Sequence, residues 1–157
     1  MDSALLSLST RATRALARLQ AAGRVKSIWL PGMLTHLGRL ARAIPEGSDV
    51  ASWIYVAKDY PGLEPECDVE KIKNCVLDLS DPLTAAGLIV LVREAWGDDC
   101  GFVQHGMNND GQRLCWARFG TRARDCGQGA TELEALVAAL EYAAERWAPL
   151  PVPAPAA

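Results

Sequence analysis

Leu5, Leu8, Ala12, Leu16 and Leu19 recur close to the three- and four-residue spacing of one helical face, with Arg11, Arg14 and Arg18 on the neighbouring polar side. With Ser9 or Thr10 as cap and Gly23 as stop, this pattern predicts a helix over 9–22. Trp29-Leu30-Pro31-Gly32-Met33 marks a turn anchored by apolar neighbours, and a short apolar stretch over 34–40 holds His36. Pro45-Glu46-Gly47-Ser48 breaks the chain. At Val50–Lys58 the pattern becomes β-branched and aromatic with two mostly apolar faces, which predicts a strand central in its sheet. A loop over Asp59–Asp68 follows, with Pro61, Gly62 and Pro65, and then a short strand over Ile72–Leu77.

Ser80-Asp81-Pro82 opens a second helix that runs to Trp96 and is stopped by Gly97. Its apolar positions extend almost all round, so it reads as the central core helix, with Gly87 permitting close approach by a neighbour. Phe102–Met107 and Gln112–Phe119 flank Asn108-Asn109-Asp110-Gly111 and predict a hairpin, with Leu114 and Trp116 on one face and Cys115 and Ala117 on the other. Gly120–Gln128 reads as a loop. Thr131 and Glu134 form a capping box for a last helix to about Trp147, with Leu133, Leu136, Val137, Leu140 and Ala144 as its buried stripe. The order α-β-β-α-β-β-α predicts a single α+β domain in which helices pack on a small antiparallel sheet of about four strands. It divides into a basic amphipathic helix over 1–26, a core over 27–148 and a mobile Pro/Ala tail over 149–157.

Composition narrows the function classes. Half of the 157 residues are apolar, enough for one core and too many for a disordered chain. The longest run free of polar side chains, Ala85 to Val92, falls well short of the ~20 residues of a bilayer span. No Walker loop, dinucleotide fingerprint, zinc-protease motif or lipidation signal is present. Charge is uneven: residues 1–45 carry seven basic residues against Asp2, while the remaining nine basic residues face eighteen acids. Such asymmetry suits either an acidic partner for the N-terminal segment or a basic arm folded onto the acidic body. The cysteines at 67, 75, 100, 115 and 126 form no C-x-x-C pair, and Cys100 with His105 lacks a second close pair to complete a ligand set. No metal or cofactor is expected. The thiols and the lack of a secretory h-region fit a reducing cytosol, although the Arg-, Ala-, Ser- and Leu-rich start also describes an organellar transit peptide.

Two stretches carry a resemblance: Asp78-Leu79-Ser80-Asp81-Pro82 running into 91–98 (LVREAWGD), and 131–141 (TELEALVAALE). Together with 29–33 upstream, they resemble a group of small uncharacterised accessory proteins of tailed phages and prophages, mainly over residues 78–146. The resemblance implies a phage accessory protein working in the bacterial host cytoplasm. It transfers no activity, because the shared residues are helix caps and core, and the basic N-terminal helix departs from the usual start of such proteins.

Three classes of function follow. The first is a non-catalytic protein that binds a host protein or protein–nucleic-acid complex and inhibits a defence complex, as anti-CRISPR proteins do. Its partner-binding candidates are Arg11, Arg14 and Arg18 together with the acidic stretch Asp59, Glu64, Glu66, Asp68 and Glu70, which would mimic phosphates. The alternative is direct nucleic-acid binding by Arg11, Arg14, Arg18, Arg24 and Lys26, whose row lacks interleaved aromatics for single-strand stacking. A weaker phosphate signal is Arg118, Arg122 and Arg124 beside Gly127 and Gly129. The third class is an enzyme, for which a cysteine with His36 or His105 is the sole nucleophile–base choice; nothing in the sequence brings a thiol to an imidazole, so no enzyme is expected.

Overall fold

The structure is a computed structural model that describes residues 2–35, 38–43, 52–57, 66–68 and 75–151. Helix α1 (Ser3–Ala21) starts ahead of the predicted cap, because Asp2 caps it and accepts the Leu5 N–H at 2.8 Å. Ser9 lies inside the helix, where its buried hydroxyl accepts the Leu79 N–H at 3.2 Å. The Thr13 hydroxyl likewise accepts the Leu77 N–H at 3.0 Å. Residues 75–78 therefore form no strand, where the sequence predicts one over 72–77; helix hydroxyls hold Leu77 and Leu79 instead, and residues 72–74 lie outside the described residues. At its other end α1 closes in a Schellman turn, with Gly23 at φ +75°, its N–H on Gln20 O, and Arg24 N–H on Leu19 O.

The first sheet is antiparallel in the order β1 (Gly38–Ala43), β2 (Ser52–Ala57), β3 (Glu66–Asp68), so β2 is central as expected. Two of its strands depart from expectation. The apolar stretch over 34–40 leads into β1, which pairs Gly38 with Ala57 and Ala43 with Trp53, and the expected loop over 59–68 ends in β3. His36 and the 45–48 break lie outside the described residues.

Helix α2 (Pro82–Trp96) follows the predicted caps, with Asp81 at the N-cap, proline in the first turn and Gly97 left-handed at φ +63°. It is not the all-round buried core helix that its composition predicts. Thr84, Leu88, Leu91, Val92, Ala95 and Trp96 are buried, but Leu83 and Val90 are 57% and 48% exposed. Close approach at Gly87 is used by Met33, whose Cε would lie 2.9 Å from an added Cβ.

The second sheet is an antiparallel meander, β4 (Phe102–Met107), β5 (Arg113–Phe119) and β6 (Arg124–Gly129). The hairpin forms as predicted, with Asn108 Oδ1 accepting the N–H groups of Asp110 and Gln112. The expected loop over 120–128 is mostly strand β6. The turn before it places Arg122 and Ala123 at φ +70° and +45°, and these residue types give no hairpin signal.

Helix α3 (Glu132–Trp147) begins with the predicted capping box: Thr131 Oγ1 accepts Glu134 N–H at 3.2 Å, and Glu134 Oε2 accepts Thr131 N–H at 3.3 Å. It packs on the sheet through Cys115, Ala117, Phe119 and Cys126, and α1 lies along its other side. Gly127 and Gly129 let helix and strand meet. A Cβ at Gly127 would sit 2.5 Å from Ala135 O, and one at Gly129 would sit 2.3 Å from Glu134 Cβ. The glycine pair thus serves packing and does not form a cradle for phosphate. The segments of 1–26 and 27–148 share one core in which Leu16 and Leu19 join Leu88, Leu91 and Leu140. The architecture is α+β, in the order α-βββ-α-βββ-α among the described residues, with two three-stranded sheets in place of one sheet of four.

Candidate functional site

The row of arginines on α1 faces α3. Arg11 forms a two-pronged pair with Glu141, Nε to Oε1 at 2.7 Å and Nη2 to Oε2 at 2.9 Å. The carboxylate holds the Arg11 guanidinium above its ordinary pKa against the cost of burial. Arg18 donates to Ala148 O from Nε at 3.2 Å and from Nη2 at 2.7 Å, at the C-terminal end of α3. Arg24 donates to Ala95 O at 2.8 Å from Nη2, and its guanidinium lies 4.2 Å from the centre of the Trp147 ring. Arg14 lines the same groove with Glu141 and Glu145, and it makes no hydrogen bond or ion pair among the described residues. The basic arm is therefore folded onto the acidic body, the second of the two arrangements that the charge asymmetry allows.

The acidic candidates are placed less fully. Glu66 and Asp68 lie on β3, and Asp59, Glu64 and Glu70 lie outside the described residues.

The two faces of the second sheet differ. Cys115, Ala117 and Phe119 point at α3 and are buried; Leu114, Trp116 and Arg118 alternate with them on the far face and are half-buried. Pairing sets Phe102 opposite Arg118, Gln104 opposite Trp116 and Gly106 opposite Leu114. The Trp116 ring lies against Gly106, where an added Cβ would meet it at 2.8 Å, and Arg118 Nε donates to Gln104 Oε1 at 3.2 Å. Phe102 is exposed beside them. Of the other tryptophans, Trp29 and Trp96 are buried, and the Trp147 ring has the guanidiniums of Arg24 and Arg146 at 4.2 and 5.1 Å from its centre. Trp116 is thus the tryptophan that this sheet presents on its far face.

On the helix side of the same sheet three reactive groups meet. His105 and Cys115 are direct cross-strand partners, with Nδ1 3.5 Å from Sγ, and His105 Nε2 is 2.7 Å from Glu132 Oε1 in the first turn of α3. Burial pushes the Cys115 thiol up, and Glu132 and Glu134 push it the same way. The signal that could have found this pair is the hairpin register. A four-residue loop at 108–111 sets His105 opposite Leu114; closure by Asn108 N–H on Gln112 O shifts the pairing by one, so His105 faces Cys115.

Among the described residues, no group of three or more histidine, cysteine or acidic side chains could hold a metal ion, and no helix is long and apolar enough to cross a membrane. No family model matches the chain, and neither the curated proteins nor the solved structures with which it was compared include a match.

Proposed function

We propose that the protein is a non-catalytic accessory protein that binds a host protein through the far face of its second sheet. The observation that carries this reading is the set of side chains on that face. A half-buried tryptophan, an exposed phenylalanine and an arginine stand together there, and these are the chemistries that dominate protein interfaces. The basic row over 11–26 favours protein over naked nucleic acid as partner. Three of its five basic side chains already hold carboxylate or carbonyl oxygens of the body, so few remain to meet phosphates. The resemblance to phage accessory proteins supports a partner in the bacterial host cytoplasm, with occlusion of a defence complex as the outcome.

Comparative capture from bacterial lysate tests this reading. A partner retained by the parent chain and by Arg14→Glu, and lost with Trp116→Ala, supports it; truncating a hot-spot side chain costs about 2 kcal/mol or more. Retention by Trp116→Ala overturns the assigned face. Binding to plain duplex that falls steeply with salt and weakens with Arg14→Glu establishes the nucleic-acid alternative instead.

A further inference from the structure

We propose that Cys115 is an acyl-acceptor thiol, with His105 as its general base and Glu132 as the group that positions His105, and that it takes the acyl group of small activated esters or thioesters. This goes beyond the binding reading, because it concerns one covalent event on the helix side of the sheet and uses none of the far-face residues.

The proton on the imidazole decides which nitrogen can act. An ionised Glu132 only accepts, so His105 Nε2 carries the hydrogen that bridges the 2.7 Å to Oε1. That leaves Nδ1 with its lone pair, 3.5 Å from Cys115 Sγ, where it accepts the thiol hydrogen. The three groups come from different elements, whose backbone arrangement sets their meeting; Cys115 is buried, and the His105 and Glu132 side chains are more than half exposed. Pairing of β4 with β5 sets His105 beside Cys115, and Gly129 on the other side of Cys115 lets the first turn of α3 settle onto the sheet with Glu132. The charged neighbours are Glu132, Glu134 and Arg113, and the two carboxylates and burial all disfavour a standing thiolate. The thiol therefore needs a base that takes its proton during attack, and His105 stands where that base must be.

The step balances within these residues. Cys115 Sγ bonds to the carbonyl carbon while its proton passes to His105 Nδ1. The bond from that carbon to the leaving oxygen or sulfur then breaks, and the leaving group takes the proton from Nδ1. The products are an S-acyl Cys115 and a free alcohol or thiol. The site opens to solvent through a depression of about 480 Å³ lined by Gly106, Met107, Arg113 and Thr131, a volume suited to a small donor. The chain holds its own reference: Cys100 is exposed and has no imidazole beside it among the described residues, whereas the Cys126 thiol is buried and donates hydrogen bonds to Phe119 O and Arg124 O.

The test treats the full chain with p-nitrophenyl acetate, follows p-nitrophenolate release, and locates the acetyl group by peptide mass spectrometry. The proposal expects Cys115 to be acetylated ahead of the more exposed Cys100, and Cys115→Ala to remove the fast phase. It expects His105→Ala to slow the reaction about tenfold or more with recovery on adding free imidazole, and Glu132→Gln to slow it less than Glu132→Ala. Acetylation of Cys100 first, or a wild-type rate at Cys115 in His105→Ala with its unfolding transition unchanged, overturns it.

Discussion

Asp81 joins three segments through one carboxylate. It caps α2 by accepting Thr84 N–H at 2.9 Å and the Thr84 hydroxyl at 2.8 Å, and it receives both prongs of Arg39 at 2.8 and 2.9 Å. Arg39 also donates to Gly32 O, and the buried Thr84 hydroxyl accepts Leu34 N–H, so the turn before β1 is fastened to the helix start. The Arg39 guanidinium holds the Asp81 carboxyl well below the usual carboxylate range, with the Thr84 bonds acting in the same direction. Asp81→Ala is expected to cost about 2 kcal/mol, mostly through the lost cap, because Arg39 is more than a third exposed and its attraction is screened by water. The sign of the pH dependence follows from a lowered folded pKa: the contribution is complete above about pH 4 and declines as pH falls toward the folded value. Urea unfolding at neutral pH and at about pH 3 measures both effects, and the parent chain loses more stability on acidification than the variant does. At the same scale, Thr13→Val leaves the Leu77 N–H without its acceptor and is expected to cost about 1–3 kcal/mol. The caps Asp81, Gly97 and Thr131 were legible because capping depends on local chemistry. The second role of Asp81 toward Arg39 was not, because it depends on a β1 strand 42 residues away.

Elements were legible where side-chain pattern sets them and illegible where backbone contact does. The alternation of β5 placed Cys115 and Ala117 on one face and Trp116 on the other, as found. Strand β6, Arg124-Asp125-Cys126-Gly127-Gln128-Gly129, has the composition of a loop. Its glycines are required by α3, whose backbone comes within 2.5–2.8 Å of where their Cβ atoms would lie. Gly129→Ala should therefore push the first turn of α3 off the sheet and cost about 1–3 kcal/mol, measured as a lowered denaturation midpoint. Gly87→Ala is expected to be far milder. Its tight neighbour is the flexible end of Met33, and a helical glycine gives up about 1 kcal/mol of propensity relative to alanine. Helix α2 misled in another way: its apolar positions run nearly all round, yet Leu83 and Val90 face outward.

For the whole molecule, the charge asymmetry was the most informative long-range signal. It allowed the basic start to fold onto the acidic body, beside the alternative of an acidic partner, without showing which arginine meets which oxygen. Arg11 and Arg18 each bridge 130 residues, and the apolar side of α1 supplies Leu8, Ala12, Ala15, Leu16 and Leu19 to the common core. Removing residues 1–23 is expected to abolish cooperative unfolding followed by near-ultraviolet dichroism, because α3 and the 75–79 segment would lose the surface and the hydroxyls that hold them. Biosynthesis meets the same geometry in time. Helix α1 is synthesised well before α3 and must wait for it, so the nascent chain carries an incompletely covered greasy stripe until α3 emerges from the exit tunnel.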